Sequence, residues 1–403
     1  SGASQSGFGR SGSVNWQTTI KTGDFTAASG EGYFVNTTSG AVTMTLPSSP
    51  SAGDIVSVSD YANTFDTNNL TLGRNGSNIG GTALDSLITT EGIALTLVYA
   101  DATKGWIVTE SGLQSEAPGP QFIAATGGTI TTVCTNFKVH TFTGPGTFTV
   151  CSAGNPAGSD TVSYMVVAGG GGAGGDTGGG GGAGGFREGL GSNDSYTGSP
   201  LRASTGVPVT ATSFPIVVGG GGAGGPSGNA APRGTSGVNS TFSTITSAGG
   251  GGGGGGLGPE HRGANGGSGG GNREIVSPDV AGVGNTPPVD PPQGQPGAVY
   301  YDPTGQRGGG GGATVAGVTG GPGAGGAGAT TSINGTPTAF SGGGGGGASP
   351  NPTSGGAGGG GGGKPGTGNA GTTNTGGGGG GGDNDNAGGA GGSGIVIIRY
   401  KFQ

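Results

Sequence analysis

The pattern of apolar and polar residues changes near the middle of the chain. From Trp16 to Glu110, short apolar stretches alternate with polar residues, are rich in β-branched side chains, and end at Gly, Pro, Asn or Asp. A period of two predicts β-strands, and this part shows no helical period. We expect an all-β module of about seven short strands, with a core thin enough to favour burial in an oligomer.

A second β pattern follows a short linker that contains Ser, Gly, Glu and Pro. Residues 129–133, 138–143 and 147–150 alternate as strands do, and the Gly-Pro-Gly tripeptide at 144–146 is a strong turn signal. We expect the last two of these strands to form a hairpin. A further strand, 162–167, runs directly into glycine.

Beyond Gly169 the chain is dominated by glycine. It holds 111 Gly in 403 residues, far above the ordinary share of about 7%. The runs, some interrupted by one Ala or Ser, are 169–175, 178–185, 219–225, 249–256, 308–312, 342–347, 355–363, 376–382 and 388–394. An α-helix is excluded because Gly costs about 1 kcal/mol per residue relative to Ala. Collagen needs Gly at every third position, and Gly weakens a β-sheet.

Such glycine tracts would ordinarily be disordered, because they carry too little apolar surface to offset chain entropy. Three features argue for order: the runs have similar lengths, apolar anchors such as 214–218 and 242–245 lie between them, and the chain ends on an apolar strand at 395–400 that needs a partner. We therefore predict polyproline II helices, packed so that backbone N–H and C=O groups of neighbours pair laterally.

These patterns predict an all-β region followed by a polyproline II bundle closed by a C-terminal β-strand, with essentially no α-helix. The predicted segments are an N-terminal lead-in (1–14), an all-β module (15–112), a linker (113–122), a β-hairpin module (123–168), the glycine-rich bundle with displayed loops (169–394) and the closing strand (395–403).

Charge and motifs exclude several functions. The net charge is −7 and no basic block is present, which disfavours nucleic acid as a partner. No apolar run approaches the ~20 residues of a membrane span. Gly363-Lys364-Pro365 lacks the Ser/Thr and the preceding strand of a phosphate-binding loop. His140 lies in a predicted strand, where a structural role is favoured. We expect neither an enzyme nor a cofactor.

Four further residues leave alternatives open. Cys134 and Cys151 are either two unpaired thiols or one disulfide, because spacing does not give the geometry that a bridge needs. Asp383 and Asp385 belong to an Asp-Asn-Asp-Asn stretch that forms either a polar turn or a weak calcium site. The pattern favours the turn.

Several stretches resemble bacteriophage tail fibres. Those from the β-hairpin module to the C-terminus are 138–150 (KVHTFTGPGTFTV), 164–175 (YMVVAGGGGAGG), 332–336 (SINGT), 340–347 (FSGGGGGG) and 391–400 (GGSGIVIIRY). The stretches 32–47, 53–56 and 105–108 are similar to a β-module of marine phage fibres. The resemblance implies a virion adhesin, homotrimeric through its β-modules, that contacts other tail proteins. Its loops would bind a host-cell receptor, either a polysaccharide or an outer-membrane protein.

Loops held on a rigid scaffold are where binding residues concentrate. We expect 257–307 to be a long displayed loop, since it is the longest segment with ordinary side chains. The candidate receptor-binding residues, chosen for their aromatic, guanidinium and other polar side chains, are His261, Arg262, Arg273, Tyr300, Tyr301, Asp302 and Arg307, with a second cluster of Phe186, Arg187 and Tyr196. These aromatic residues could instead cap the rim of the bundle, and for Phe186 capping is favoured.

Two other functions fit a glycine bundle. A structural subunit of an extracellular filament would repeat along an axis and would lack exposed loop clusters. An ice-binding bundle would need a flat face with regularly spaced Thr or Ala, which the sequence does not show.

Overall fold

The computed structural model describes residues 14–113, 120–228, 232–256, 258–274, 280–300, 307–319, 323–347 and 351–403. The chain divides into two compact units, 1–119 and 120–403. Within the described ranges the structure is almost entirely β and extended, and its one helix is a 3-10 turn at Gly258–His261. No helix in these ranges is long and apolar enough to span a membrane.

The described part of the first unit contains nine strands rather than the expected seven. They are β1 (Asn15–Lys21), β2 (Phe25–Thr26), β3 (Glu31–Val35), β4 (Val42–Thr45), β5 (Ile55–Asp60), β6 (Leu70–Gly73), β7 (Ser86–Ile88), β8 (Ile93–Asp101) and β9 (Gly105–Leu113). β1, β3 and β5 pair in parallel, as do β2, β4 and β6 in a second sheet. The chain thus winds through both sheets in three coils, and β7, β8 and β9 complete the sheets antiparallel.

A compact apolar core fills the space within these coils. Trp106, Phe65 and Met44 are fully buried in it, together with the inward-facing residues of β3 to β6. Inward and outward positions alternate along β4, as a strand with one buried face requires.

The second unit begins with a β-sandwich. The described strands of this unit are β10 (Ile123–Thr126), β11 (Thr129–Val133), β12 (Phe137–Phe142), β13 (Gly146–Ala153), β14 (Thr161–Val167), β15 (Phe186–Gly189), β16 (Arg202–Ala203), β17 (Val207–Pro208), β18 (Ser213–Val217), β19 (Ser240–Phe242), β20 (Ile245–Ser247), β21 (Ala329–Thr331), β22 (Thr338–Phe340) and β23 (Ile395–Lys401). β21 and β22 form a two-stranded sheet of their own. One sheet has the order β10-β13-β18-β19-β20 and another the order β11-β12-β23-β14-β15-β16. Their apolar faces share one core.

The expected hairpin around the Gly-Pro-Gly tripeptide does not form. β12 pairs with β11 and β23, whereas β13 pairs with β10 and β18 in the other sheet. The turn carries the chain from one sheet to the other, so that Phe142 and Phe148 both enter the shared core. Burial of two aromatic rings between the sheets replaces the pairing of adjacent strands.

The C-terminal strand confirms the expectation of a paired closing strand. β23 lies between β12 and β14 and pairs antiparallel with both. Its side chains are buried from Ile395 to Tyr400. The last strand of the sequence is therefore a central strand of the sheet from which the glycine region emerges.

The glycine runs are polyproline II helices, and their hydrogen bonds repeat every third residue. In the first central helix (169–175), the N–H donors and their carbonyl acceptors are Gly169–Val238, Gly170–Gly392, Gly171–Gly182, Gly172–Thr235, Ala173–Gly389 and Gly174–Gly179. Successive N–H groups thus point to three different neighbours, and the fourth returns to the first neighbour. A three-fold helix without internal hydrogen bonds has this geometry.

The carbonyl groups of the same helix pair with three further segments. They accept hydrogen bonds from 222 and 225, from 250 and 253, and from 379 and 382. The first central helix is therefore hydrogen-bonded to six neighbouring segments. The second central helix (178–185) also has six, because it donates to 248–254, 308–311 and 376–379 and accepts from 169–174, 268–271 and 344–347.

The segment 257–307 is not one displayed loop, which corrects the expectation from its composition. Gly282 donates to Gly270, and Ala298 donates to Gly309, both within the bundle. Glycines at the contact points, including Gly297, leave no room for a Cβ. Much of this segment therefore adds further extended strands of backbone to the bundle.

The bundle has two distinct ends. The chain leaves β14 at Val167, follows the first central helix, turns at Asp176 and Thr177, and returns along the second central helix to β15. Seven residues of polyproline II span about 22 Å. We call the end at the β-strands proximal and the end at the Asp176 turn distal.

One prediction concerns the close packing of these helices. A Cβ on Gly252 would lie 1.8 Å from the carbonyl oxygen of Gly234, whereas a Cβ on Gly220 would meet no atom within 4 Å. We expect Gly252→Ala to lower the free energy of unfolding by about 1–3 kcal/mol or more, since the backbone has to move apart. Gly220→Ala is the matched control. Equal thermal melting points for the two variants would contradict dense packing.

A second prediction concerns His140, which is fully buried. Its Nδ1 lies 2.7 Å from the carbonyl oxygen of Gly127 and its Nε2 lies 3.1 Å from the hydroxyl of Tyr400. Burial lowers the pKa of His140, against the effect of the Gly127 hydrogen bond. The folded state therefore binds this proton less readily than the unfolded state does.

This difference in proton affinity sets the direction in which the free energy of unfolding changes with pH. Above the unfolded pKa of about 6.5 the ring is neutral in both states, and its contribution to stability is complete. As the pH falls towards the lower folded pKa, that stability is lost. Chemical denaturation between pH 8 and about 5 should show a steeper loss in the parent chain than in His140→Gln, which retains His261. Parallel pH profiles would contradict the prediction.

Candidate binding surface at the distal end

The structure separates the predicted binding residues between the two ends of the bundle. The distal turns carry His261, Arg262, Arg273, Tyr300 and Arg307. The proximal end carries Phe186, Arg187 and Tyr196. Tyr301 and Asp302 lie outside the described residues.

A buried ion pair ties several distal turns together. Nη2 of Arg273 lies 2.7 Å from Oδ2 of Asp176, and the two side chains are 8% and 7% exposed. Arg273 also donates to the carbonyl of Gly256, and Oδ1 of Asp176 accepts from the backbone N–H of Asp385 at 3.1 Å. Four turns that are far apart in sequence thus meet at one carboxylate and one guanidinium.

These contacts hold a turn that is unfavourable by itself. Asp176 and Thr177 have φ angles of 48° and 55°, a left-handed conformation that costs a residue with a Cβ about 1–2 kcal/mol. Arg273 binds the side chain of Asp176, and Nε of Arg307 donates to the carbonyl of Thr177 at 2.8 Å. Two arginines therefore fix the connection between the central helices.

His261 and Arg273 are buried, which corrects the expectation that they are presented to a partner. His261 is 8% exposed, and its Nδ1 lies 3.2 Å from Oε2 of Glu274. It is thus neither a free binding group nor the solvated loop histidine of the alternative interpretation. The contacts that bury these two side chains are with carboxylates of the distal turns, Glu274 for His261 and Asp176 for Arg273.

Tyr300 and Arg307 form a cation–π pair, with the guanidinium 4.9 Å from the ring centroid. Both side chains are partly exposed. The Arg307 guanidinium also binds the Thr177 carbonyl. The pair therefore places a partly exposed aromatic ring beside an arginine that holds the turn between the central helices.

Exposed charge at the distal end includes residues that were not singled out from the sequence. Arg233 and Glu260 form an ion pair of 3.2 Å with side chains 39% and 38% exposed, and Lys364 and Glu274 also reach solvent. Such exposed pairs contribute little to stability. Their position between consecutive glycine runs is the signal that could have identified them.

The aspartates of the Asp-Asn-Asp-Asn stretch form a turn. Asp383 is buried, its backbone carbonyl accepts from Asn386, and Oδ2 accepts from Asn384. The backbone N–H of Asp385 donates to Oδ1 of Asp176. Among the described residues, no three His, Cys, Asp or Glu side chains come together as a metal site requires.

At the proximal end, two of the three predicted residues are structural. Phe186 is 1% exposed in an apolar cluster, as the capping interpretation favours. The guanidiniums of Arg202 and Arg399 lie 5.5 Å and 5.1 Å from the ring centroid of Tyr196. Burial, followed by the nearby carboxylate of Glu188, raises the pKa of Tyr196. The third residue, Arg187, is partly exposed in a cleft.

The two cysteines are free and exposed. Cys134 lies in the turn between β11 and β12, whereas Cys151 lies on β13 in the other sheet. The disulfide alternative is therefore not realised, and the two thiols are unpaired.

Comparison with known families matches residues 141–401 to the model of a glycine-rich domain. The chain belongs to this family. The match begins near the end of β12 and ends with β23, so the glycine-rich domain includes the sandwich strands that bracket the bundle. A comparison with curated proteins finds no match.

A third prediction concerns the distal turns of the glycine-rich domain. Removing one partner of a buried ion pair leaves an uncompensated charge, so Arg273→Met should lower the free energy of unfolding by about 3 kcal/mol. Arg233→Met removes an exposed guanidinium and should change it by less than about 1 kcal/mol. Urea denaturation of both variants compares these effects directly. Equal midpoints would show that Arg273 does not hold the turns.

Proposed function

We propose that this protein is a bacteriophage tail-fibre adhesin that binds a host-cell surface receptor through its distal turns. The observation that carries the proposal is the arrangement of the two central helices, each hydrogen-bonded to six neighbouring segments. A platform with that many lateral hydrogen bonds presents its turns in fixed positions, which lowers the entropy cost of binding.

The chemistry of the distal turns supports recognition. Arg233, Glu260 and Lys364 reach solvent, and Tyr300 offers an accessible ring beside Arg307. Aromatic and guanidinium groups are enriched at binding surfaces. Buried contacts through Asp176 position the turns, while the exposed side chains are free to differ without disturbing the helices.

Attachment to the virion and trimerisation are assigned to the first unit in this proposal. Trp16 is 41% exposed on the edge strand β1, and Ile107 and Val108 are 37% and 47% exposed on the edge strand β9. Apolar side chains on unpaired sheet edges favour contacts with other copies or other tail proteins. The protein would then act outside the cell, as part of the virion.

A fourth prediction tests the distal surface. The full chain, labelled with a fluorophore, is applied to a panel of intact bacteria, and bound protein is measured by flow cytometry. We expect the double variant Arg233→Ala and Lys364→Ala to bind a recognised strain at least about tenfold more weakly. Both side chains are exposed, so the melting temperature should be unchanged.

The matched control is Lys104→Ala in the first unit, which also removes an exposed cation. It should bind as the parent chain does. Unchanged binding by the double distal variant would contradict a receptor surface at these turns. Equal loss in the control would show that binding follows net charge instead.

A further inference from the structure

A cleft at the proximal end of the bundle forms a second candidate binding site. It has a volume of about 190 Å³ and lies between the sandwich edge strand β20 and the turn that contains Pro287 and Val289. Its other lining side chains come from Arg187, Asn239, Thr244, Thr246, Ala248 and Gln293. The volume lies below the range of about 300–1,000 Å³ typical of larger ligands, which suits a single small ring.

The floor of this cleft is rigid. Gln293 is 1% exposed, its Oε1 accepts from the N–H of Ala248 at 2.8 Å, and its Nε2 donates to the carbonyl of Pro287 at 2.8 Å. Its own carbonyl accepts from the N–H of Phe186 at 2.8 Å. One buried glutamine therefore links β15, the start of a glycine helix and the proline turn, and fixes the walls relative to one another.

Arg187 supplies an unsatisfied positive charge. Within the described part of the chain, no side chain or backbone group forms a hydrogen bond or an ion pair with its guanidinium. The next carboxylate in its strand, Glu188, is buried and bonded to the N–H of Ser199 and the hydroxyl of Thr331. Because strand neighbours point to opposite faces, that carboxylate does not neutralise the cleft.

Neutral polar groups flank this charge on one side, and apolar groups lie on the other. Thr244 and Thr246 carry exposed hydroxyls, and Oδ1 of Asn239 accepts from the N–H of Gly249, which leaves its amide NH2 as a donor. Pro287 and Val289 form the apolar wall. A sugar ring has the matching arrangement, with hydroxyls around its edge and an apolar face, and a carboxylate on the ring would pair with the guanidinium.

We propose that this cleft binds a sugar residue that carries a carboxylate, with Arg187 as the anion-binding group. This site is separate from the distal surface and does not depend on it, because the two lie at opposite ends of the bundle. An acidic saccharide in this cleft would give the protein a second point of contact with a glycan-covered surface.

The experiment uses saturation-transfer NMR on the full chain with methyl β-glucuronide as the probe and methyl β-glucoside as the uncharged counterpart. We expect transfer to the ring protons of the glucuronide and little to those of the glucoside. Arg187→Gln should weaken glucuronide binding about tenfold or more, because a charge-assisted pair is lost. Thr246→Val should weaken it while leaving the guanidinium in place.

The matched control is Lys104→Gln in the first unit, which also removes one exposed positive charge and should leave binding unchanged. Equal transfer to the two sugars, or unchanged binding by Arg187→Gln, would overturn the proposal. Sodium sulfate separates a sugar site from a simple anion site. If sulfate binds as tightly as the glucuronide and Thr246→Val has no effect, the cleft is an anion site only and the proposal fails.

Discussion

The lateral hydrogen bond between glycine backbones is the interaction on which the second unit depends. Polyproline II has no internal hydrogen bonds, so every buried N–H and C=O must find a partner on another helix. At most positions of the two central helices the approach requires glycine, because a Cβ on Gly181, for example, would lie 2.1 Å from the carbonyl oxygen of Gly171. The side-chain core is displaced to the sandwich, where Phe148, Phe242 and Tyr400 pack together. Within the second unit, the sandwich contributes the buried apolar side chains, and the bundle contributes a stiff extension.

The separation of the apolar core from the glycine bundle explains where the candidate functional groups lie. The bundle interior holds mostly glycine and a few small side chains such as Ala173, Ala183 and Ser268, so the candidate functional groups lie at its two ends. At the distal end, Arg273 and Asp176 are buried in holding the turns, and exposed residues such as Arg233 remain for recognition. At the proximal end, Gln293 fixes a cleft that Arg187 lines. Buried polar groups determine the shape of each surface, and exposed ones determine its chemistry.

The sequence predicts the helix type because run length and glycine content exclude other regular structures. It does not predict strand partners, since the period of two along β12 and β13 is the same whether they pair or lie in opposite sheets. For the same reason the sequence does not predict the parallel coils of the first unit. The sequence also does not predict the burial of His261, because burial depends on how the distal turns pack together. The sequence also does not predict that the Arg187 guanidinium has no partner among the residues that the structure describes, because this depends on how the proline turn packs beside it.

Hydrogen exchange of the backbone amides tests the central claim most directly. The amides of residues 169–174 and 179–185 donate to neighbouring helices, whereas Gly220 is exposed on an outer helix. The account predicts that the two central helices exchange only through global opening of the second unit and are as protected as β14 and β23. Exchange of the central glycines at the rate of an unstructured chain, with the sandwich strands still protected, would contradict it.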